Sequence, residues 1–181
     1  QPMSHKHWLS ALAVCFVLVA VAWAAPKKAL IVDGQNGHKC WPQTTPVLKK
    51  LLEDTKLFKV DVATTPPKGK DMSSFKPKFP DYDLVVPNYQ GAEWPDETKK
   101  AFVEYVNGGG GLVVYHFACA AFPKWKEYNE ITGLGGWGGR SEKDGPMLRW
   151  RDGKIVRDTS AHRGGGHGPM QPFKLVVRNG D

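Results

Sequence analysis

Between residues 26 and 133, short apolar runs alternate with amphipathic segments, and few architectures accommodate that order. Residues 27–33 are two lysines followed by an almost unbroken apolar run, a pattern typical of a strand buried on both faces of a sheet. Further strands are expected at 58–63, 82–86 and 112–115, with helices between them. This alternation predicts an α/β fold built on a doubly wound, mainly parallel sheet.

The helices are predicted from their starting signals and apolar stripes. Thr45 is expected to cap the first helix, with Pro46 at the first helical position and an end near Lys56. The second helix is expected to start at Pro95 and to stop at Asn107 and Gly108. A shorter helix is expected from Pro123 to Gly133.

After Gly133 the sequence changes character, with glycine-dense loops at 133–140 and 163–169. Between them, residues 147–157 predict a β-hairpin that turns at Asp152 and Gly153. A last strand is expected at 173–177, with no helix after it to cover the sheet. We therefore expect the domain to be truncated at its C-terminus.

The first 24 residues have the pattern of a secretory signal peptide. Lys6 gives a basic start, residues 9–23 are almost continuously apolar, and Ala22-Trp23-Ala24 fits a cleavage site. The alternative is a membrane anchor, but fifteen residues fall short of the roughly twenty that span a bilayer. We expect residues 25–181 to form an exported domain, periplasmic or extracellular, with no stable membrane span after cleavage.

The charge pattern argues against a nucleic-acid partner, and the cysteine content leaves the state of two thiols open. The net charge is +7, but the lysines between 49 and 78 are interrupted by prolines and lack interleaved aromatic residues. That pattern favours a solvated surface, so no nucleic-acid partner is expected. Cys40 and Cys119 remain after signal removal, and either a disulfide or two free thiols fits an exported protein.

Three polar or glycine-bearing loops follow strands of the predicted sheet, at 33–38, 87–93 and 115–118. Because ligands of open parallel sheets bind outside the carboxyl ends of the strands, these loops are expected to form one site. The last loop places His116 directly after a glycine turn and a buried strand, where many α/β hydrolases carry their nucleophile. An imidazole at this position favours acid/base chemistry over nucleophilic attack.

Plainer interpretations remain open for each of these residues. His116 is also consistent with a hydrogen-bonded structural histidine, and Asp33 and Asn36 with residues that turn the loop. Glu93 fits a solvated charge before a helix. Cys119, three residues past the turn, fits a small core residue better than a nucleophile.

A metal site is a further alternative. His38, His116, His162 and His167, with Asp33, supply suitable ligand types, but none of their spacings is a ligand signature. The glycine loops lack the lysine-serine or lysine-threonine pair of a P-loop. No cofactor is therefore expected, and a divalent metal stays open.

Four motifs together resemble a known family, the ThuA-like (trehalose utilisation) domain. They are LIVDGQNGH at 30–38, NYQGAEWP at 88–95, GGGLVVYH at 109–116 and WGGR at 137–140. The resemblance implies a class I glutamine amidotransferase-like, flavodoxin-like three-layer fold and a role in disaccharide or keto-sugar catabolism. It also implies that His116 replaces the cysteine of amidotransferases, so glutaminase activity is not expected. Lys39 departs from the acidic residue expected after His38.

The sequence thus predicts an exported carbohydrate-processing domain that acts on a disaccharide or keto-sugar by histidine acid/base chemistry. His116 and His38 are the predicted catalytic pair. The alternatives are a non-catalytic sugar-binding module that partners a dehydrogenase or cytochrome, and a metal-dependent or cysteine hydrolase. The residues predicted to bind the sugar are Asp33, Asn36, Asn88, Tyr89, Glu93, Trp137 and Arg140.

Overall fold

Four parallel strands form the central sheet of the computed structural model, which describes residues 25–133, 139–166, 168–174 and 176. The strands pair in the order β2–β1–β3–β4, so β1 lies between β2 and β3. Their bounds are β1 Lys27–Asp33, β2 Phe58–Thr64, β3 Leu84–Pro87 and β4 Gly111–Leu112. The chain order changes direction between β1 and β3, which is where a ligand site of a parallel sheet is expected.

Helices cover both faces of this sheet, which confirms the doubly wound α/β prediction. They are α1 Trp41–Asp54, α2 Asp96–Asn107 and α3 Lys126–Ile131. Alternate residues of β1 point to opposite faces: Ala29 and Ile31 pack towards Leu48 and Leu52 of α1. On the other face, the buried cluster joins two residues of β1 with aromatic residues of α2, α3 and their loops, namely Leu30, Val32, Phe102, Tyr105, Trp94, Trp125 and Tyr128.

Helix α1 begins five residues earlier than the sequence predicted. It starts at Trp41 with Pro42 in the first turn, and Pro46 lies inside the helix. Two prolines each fit a helix start, and the sequence alone favoured the wrong one because a threonine preceded it. Thr45 does not cap the helix; it is buried and accepts a hydrogen bond from Asn88 instead.

Strand β4 is shorter than predicted, and α3 starts later. The predicted strand at 112–115 is reduced to Gly111–Leu112, although the amides of Val113 and Tyr115 still donate to carbonyls of the β3 segment at 3.0 and 3.2 Å. Helix α3 starts at Lys126 and not at Pro123, because Trp125 directly before it has an extended backbone with ψ near 99°.

The predicted hairpin is confirmed as β5 Met147–Arg151 paired antiparallel with β6 Lys154–Asp158. Asp152 and Gly153 both have positive φ angles, 49° and 76°, as a type I′ turn requires. The strand predicted at 173–177 is wrong for the described residues of that segment: Phe173, Lys174 and Val176 are exposed and belong to no strand. An apolar run forms a strand only where a neighbouring strand and a face to cover are available.

Across the described ranges, no helix combines the length and apolar character needed to cross a membrane. The predicted signal peptide, residues 1–24, lies outside them.

Candidate functional site

His116 stands at a sharp turn directly after the end of the sheet. Its φ of 45° lies in the left-handed region, and a 3₁₀ helix, His116–Ala120, follows at once. Such a conformation costs on the order of 1–3 kcal/mol for a residue with a side chain, and strained residues of this kind cluster at functional sites. The tight turn expected from the sequence is therefore present, and it leaves the imidazole exposed to solvent.

The ring of His116 stacks on the ring of His38. The two centroids are 4.9 Å apart and the ring planes differ by 18°. His38 comes from the loop after β1 and His116 from the turn after β4, so the fold joins loops that are far apart in sequence. The predicted convergence of these two side chains is confirmed. Within the described part of the chain, their ring nitrogens make no hydrogen bond, so both edges are open to a ligand.

Phe117 supports this histidine pair from one side. Its ring meets His38 edge-on, with centroids 4.7 Å apart. Gly37 makes this approach feasible, because a Cβ at that position would overlap the ring of Phe117. The glycine before His38 is thus a packing requirement of the site.

A chain of amide hydrogen bonds fixes the loop that carries His38. Asn36 accepts a bond from the His38 amide at 2.9 Å and donates to the Asn88 side chain at 3.4 Å. Asn88 is buried and donates in turn to the hydroxyls of Thr44 and Thr45 on α1, at 3.0 and 3.1 Å. Asn88 therefore ties the loop after β1 to the end of β3 and to the first turns of α1.

Replacement of Asn88 by alanine is expected to destabilise the domain by about 1–3 kcal/mol, because it removes the donor to the buried hydroxyl of Thr45 and the side-chain link between Asn36 and α1. Urea unfolding followed by circular dichroism measures the change. Asn107→Ala, at an exposed asparagine that ends α2, is the matched control and should cost about 0.5 kcal/mol or less. Equal losses in the two variants would show that the Asn88 network contributes nothing particular.

A cavity of about 470 Å³ lies beside the same loops, within the size range of small-molecule sites. Its polar walls include the amides of Gln35, Asn36 and Gln90, and Trp41 supplies an aromatic surface. The other lining residues are Gly34, Gly37, Pro67, Lys68, Gly91 and Ala92. Neither His38 nor His116 lines this cavity. Gly37 lines it and also lies against the ring of Phe117. Because Phe117 contacts His38, the cavity wall is adjacent to the histidine pair.

Four of the lining residues with polar or aromatic side chains were not predicted as site residues: Gln35, Trp41, Lys68 and Gln90. Gln35 and Gln90 lie within the loops that the sequence singled out, and the amide of Gln90 donates to the Gln35 carbonyl at 2.9 Å. Their position inside those loops was a usable signal. Trp41 was hidden because its helix was predicted to start later, and Lys68 because its segment was interpreted as a solvated connector.

Asp33 and Glu93, the two predicted carboxylates, are engaged elsewhere. Asp33 is buried and accepts a 2.7 Å hydrogen bond from the hydroxyl of Thr64 on β2. Glu93 forms a 2.6 Å ion pair with Lys99 on α2. Neither residue lines the cavity.

The structure places Tyr89 and Arg140, two further residues of the predicted sugar site, in the interior. Tyr89 is fully buried, its hydroxyl donates to the Ala92 carbonyl at 2.7 Å, and burial raises the pKa of its phenol well above the usual range. Arg140 is buried as well, donates to the Ala121 carbonyl at 2.6 Å, and burial lowers the pKa of its guanidinium. Trp137 lies outside the described residues.

The alternative chemistries find limited support in the geometry. Cys40 and Cys119 are both free thiols, the first exposed and the second half-buried. In the described ranges, no group of three histidine, cysteine or acidic residues is arranged to hold a metal ion. His162 lies near the carbonyls of Gly145 and Arg163, at 3.4 Å from each, and His167 is outside the described residues.

Comparisons with known proteins agree with this fold. The family model described as "ThuA: Trehalose utilisation" matches residues 28–167. Among solved structures, a ThuA-like protein from Parabacteroides merdae ATCC 43184 is 51% identical with a TM-score of 0.70, over 79% of this chain and 51% of that one. A ThuA-like protein from Bacteroides uniformis ATCC 8492 is 23% identical with a TM-score of 0.46, over 65% and 48% of the two chains.

This chain therefore spans about half the length of the solved proteins that it matches. A comparison with curated proteins finds no match. The family model covers most of the chain, and a protein of 51% identity shares its fold. The chain belongs to the ThuA (trehalose utilisation) family.

Proposed function

We propose that this chain is a carbohydrate-processing domain that acts on a disaccharide or keto-sugar, with His116 and His38 as its proton-transfer pair. The observation that carries the proposal is the stacked pair, 4.9 Å apart, beside a cavity of about 470 Å³ at the carboxyl edge of the sheet. Imidazole is suited to this task because it both accepts and donates protons near neutral pH. Neither a cofactor nor a nucleic-acid partner is part of the proposal.

The reaction that fits the pair best is isomerisation or elimination next to a carbonyl group. In an elimination, one imidazole takes the proton from the carbon beside the carbonyl while the other gives a proton to the departing oxygen. One C–H and one C–O bond break, and one C=C and one O–H bond form. Direct hydrolysis of a glycoside ordinarily uses a facing carboxylate pair, and Asp33 and Glu93 are bonded to Thr64 and Lys99.

The cavity supplies what a sugar requires for binding. Sugar hydroxyls need donors and acceptors in fixed directions. The side-chain amides of Gln35 and Asn36 are fixed by hydrogen bonds to Pro66 and Asn88, and the backbone N–H of Gln90 donates to the Gln35 carbonyl. The indole of Trp41 offers a flat apolar surface against which a sugar ring packs. The sugar would extend from this cavity past Gly37 to the histidine pair.

A second candidate is a sugar-binding module without turnover, partnering a dehydrogenase or cytochrome. It is favoured by one observation, that neither histidine ring lines the cavity. The cavity alone then accounts for binding, and the partner would perform the chemistry.

Exchange of carbon-bound hydrogen with solvent separates the two candidates. The full chain is incubated in D₂O with trehalose, with other disaccharides and with their keto derivatives, and deuterium incorporation is followed by NMR. Catalysis predicts incorporation beside the carbonyl of a keto-sugar, or its conversion. Saturation-transfer signals with no incorporation would assign the binding module, and the absence of both would overturn the sugar proposal.

We also propose that the protein is exported, on the basis of the basic and apolar pattern of residues 1–24. The mature protein is then expected to begin at Ala25 or Pro26. N-terminal sequencing of the protein isolated from its host measures this directly. Retention of residues 1–24 would rule out export by signal cleavage.

A further inference from the structure

The cavity beside the histidine pair has an unbalanced charge. Among the described residues that line it, Lys68 is the charged one, and the rest are glycines, amides, alanine, proline and tryptophan. Neither of the predicted carboxylates, Asp33 and Glu93, lines the cavity, and Glu93 is paired with Lys99. The charged side chain that a ligand would contact in the described wall of this cavity is therefore a cation.

Lys68 is presented by a firmly held turn. The carbonyl of Pro66 accepts a 2.7 Å hydrogen bond from the side chain of Gln35, which ties the turn to the loop after β1. The amide of Lys70 donates to the carbonyl of Pro67 at 3.0 Å and closes the turn around Lys68. Two consecutive prolines, Pro66 and Pro67, further restrict the backbone that precedes the lysine.

The lysine is one of two cations on the same turn, but their surroundings differ. Lys68 lines the cavity, whereas Lys70 does not. The nearby carboxylate of Asp71 accepts a 2.9 Å bond from the amide of Ser73, so it is turned into its own loop. The positive charge at the cavity therefore belongs to Lys68, and Lys70 is a matched control on the same turn.

We infer that the cavity selects an anionic sugar, with Lys68 pairing with its negative group and Trp41 packing against its ring. This inference rests on the proposed function, whose sugar site it deepens. An ammonium binds a carboxylate and a phosphate ester through the same charge-assisted hydrogen bonds, so both belong to the ligand class. A neutral disaccharide offers the ammonium no charge-assisted hydrogen bond of this kind.

Calorimetric titration of the full chain with glucuronate, glucose 6-phosphate, glucose and trehalose tests this inference. At least one of the two anionic sugars is expected to bind about tenfold or more tightly than glucose, and the preference should weaken as salt is raised. Lys68→Gln is expected to abolish the preference, and Lys70→Gln is expected to retain it. Whichever anionic sugar binds more tightly identifies the carboxylate or the phosphate ester as the recognised group.

The remaining outcomes overturn the inference in distinguishable ways. Equal binding of neutral and anionic sugars would refute charge selection and leave the sugar site in place. A preference that survives in Lys68→Gln, or is lost equally in Lys70→Gln, would refute the assignment to Lys68. Binding of no sugar at all would remove the proposed function together with this inference.

Discussion

Replacement of His116 by alanine is expected to lower the rate of proton exchange or conversion of the keto-sugar by about 10²–10⁴-fold, the range that a positioned acid/base group contributes. His38→Ala is expected to have an effect of the same order. The two rings stack 4.9 Å apart at one rim, so both reach the same substrate. Because they act as a unit, the double variant should be little slower than the slower single variant.

Three control variants test whether the rate loss is specific to the histidine pair. His162→Ala removes an imidazole near the carbonyls of Gly145 and Arg163, at another place in the fold, and is expected to retain full activity. Cys119→Ala and Cys40→Ala should also retain it, since neither thiol has a role in the proposed reaction. Loss of activity in Cys119→Ala with retention in His116→Ala would show that the protein is a cysteine enzyme.

Stability must be measured in parallel. His116 holds a left-handed backbone conformation, and alanine tolerates that no better than histidine. Both histidine side chains are exposed, so their removal should shift the free energy of unfolding by about 1 kcal/mol or less. A rate loss that tracks a larger loss of stability would indicate a structural role for the pair.

The features predictable from sequence were those set by local pattern. A continuous apolar run such as that of β1 has few alternatives to a strand buried on both faces. The hairpin was predicted from Asp152 and Gly153, because that dipeptide favours positive φ at both positions. Once the strands were recognised as parallel, the meeting of His38, Asn88 and His116 at one edge followed from topology.

The features that could not be predicted depend on whether a loop side chain points into the interior, to a partner residue or to the cavity. Tyr89 and Arg140 have the chemistry of sugar ligands, yet both are buried and bonded to backbone carbonyls. Glu93 pairs with Lys99, a partner that no spacing rule identifies. The start of α1 was misjudged because two prolines competed for it, and this error concealed Trp41 as a cavity residue.

Replacement of Trp94 by alanine is expected to give the largest loss of stability, about 3–5 kcal/mol, as for other buried large-to-small changes. Trp94 is 2% exposed and lies at the centre of an aromatic cluster on the α2 and α3 face of the sheet. For a domain of this size, such a loss lowers the melting temperature by about 6–20 °C. The rings whose centroids lie within 6.1 Å of it are Phe75, Phe79, Tyr89, Phe102, Phe122 and Trp125.

Trp150→Ala is the matched control, because it makes the same chemical change at a residue that is 71% exposed on the hairpin. It should change the free energy of unfolding by about 0.5 kcal/mol or less, and Trp94→Phe should fall between the two. Thermal and urea unfolding measure all three variants; similar losses at Trp94 and Trp150 would contradict the assignment of the core. Since Trp94 packs on Tyr89, the neighbour of Asn88, its removal should also weaken sugar binding, whereas Trp150→Ala should not.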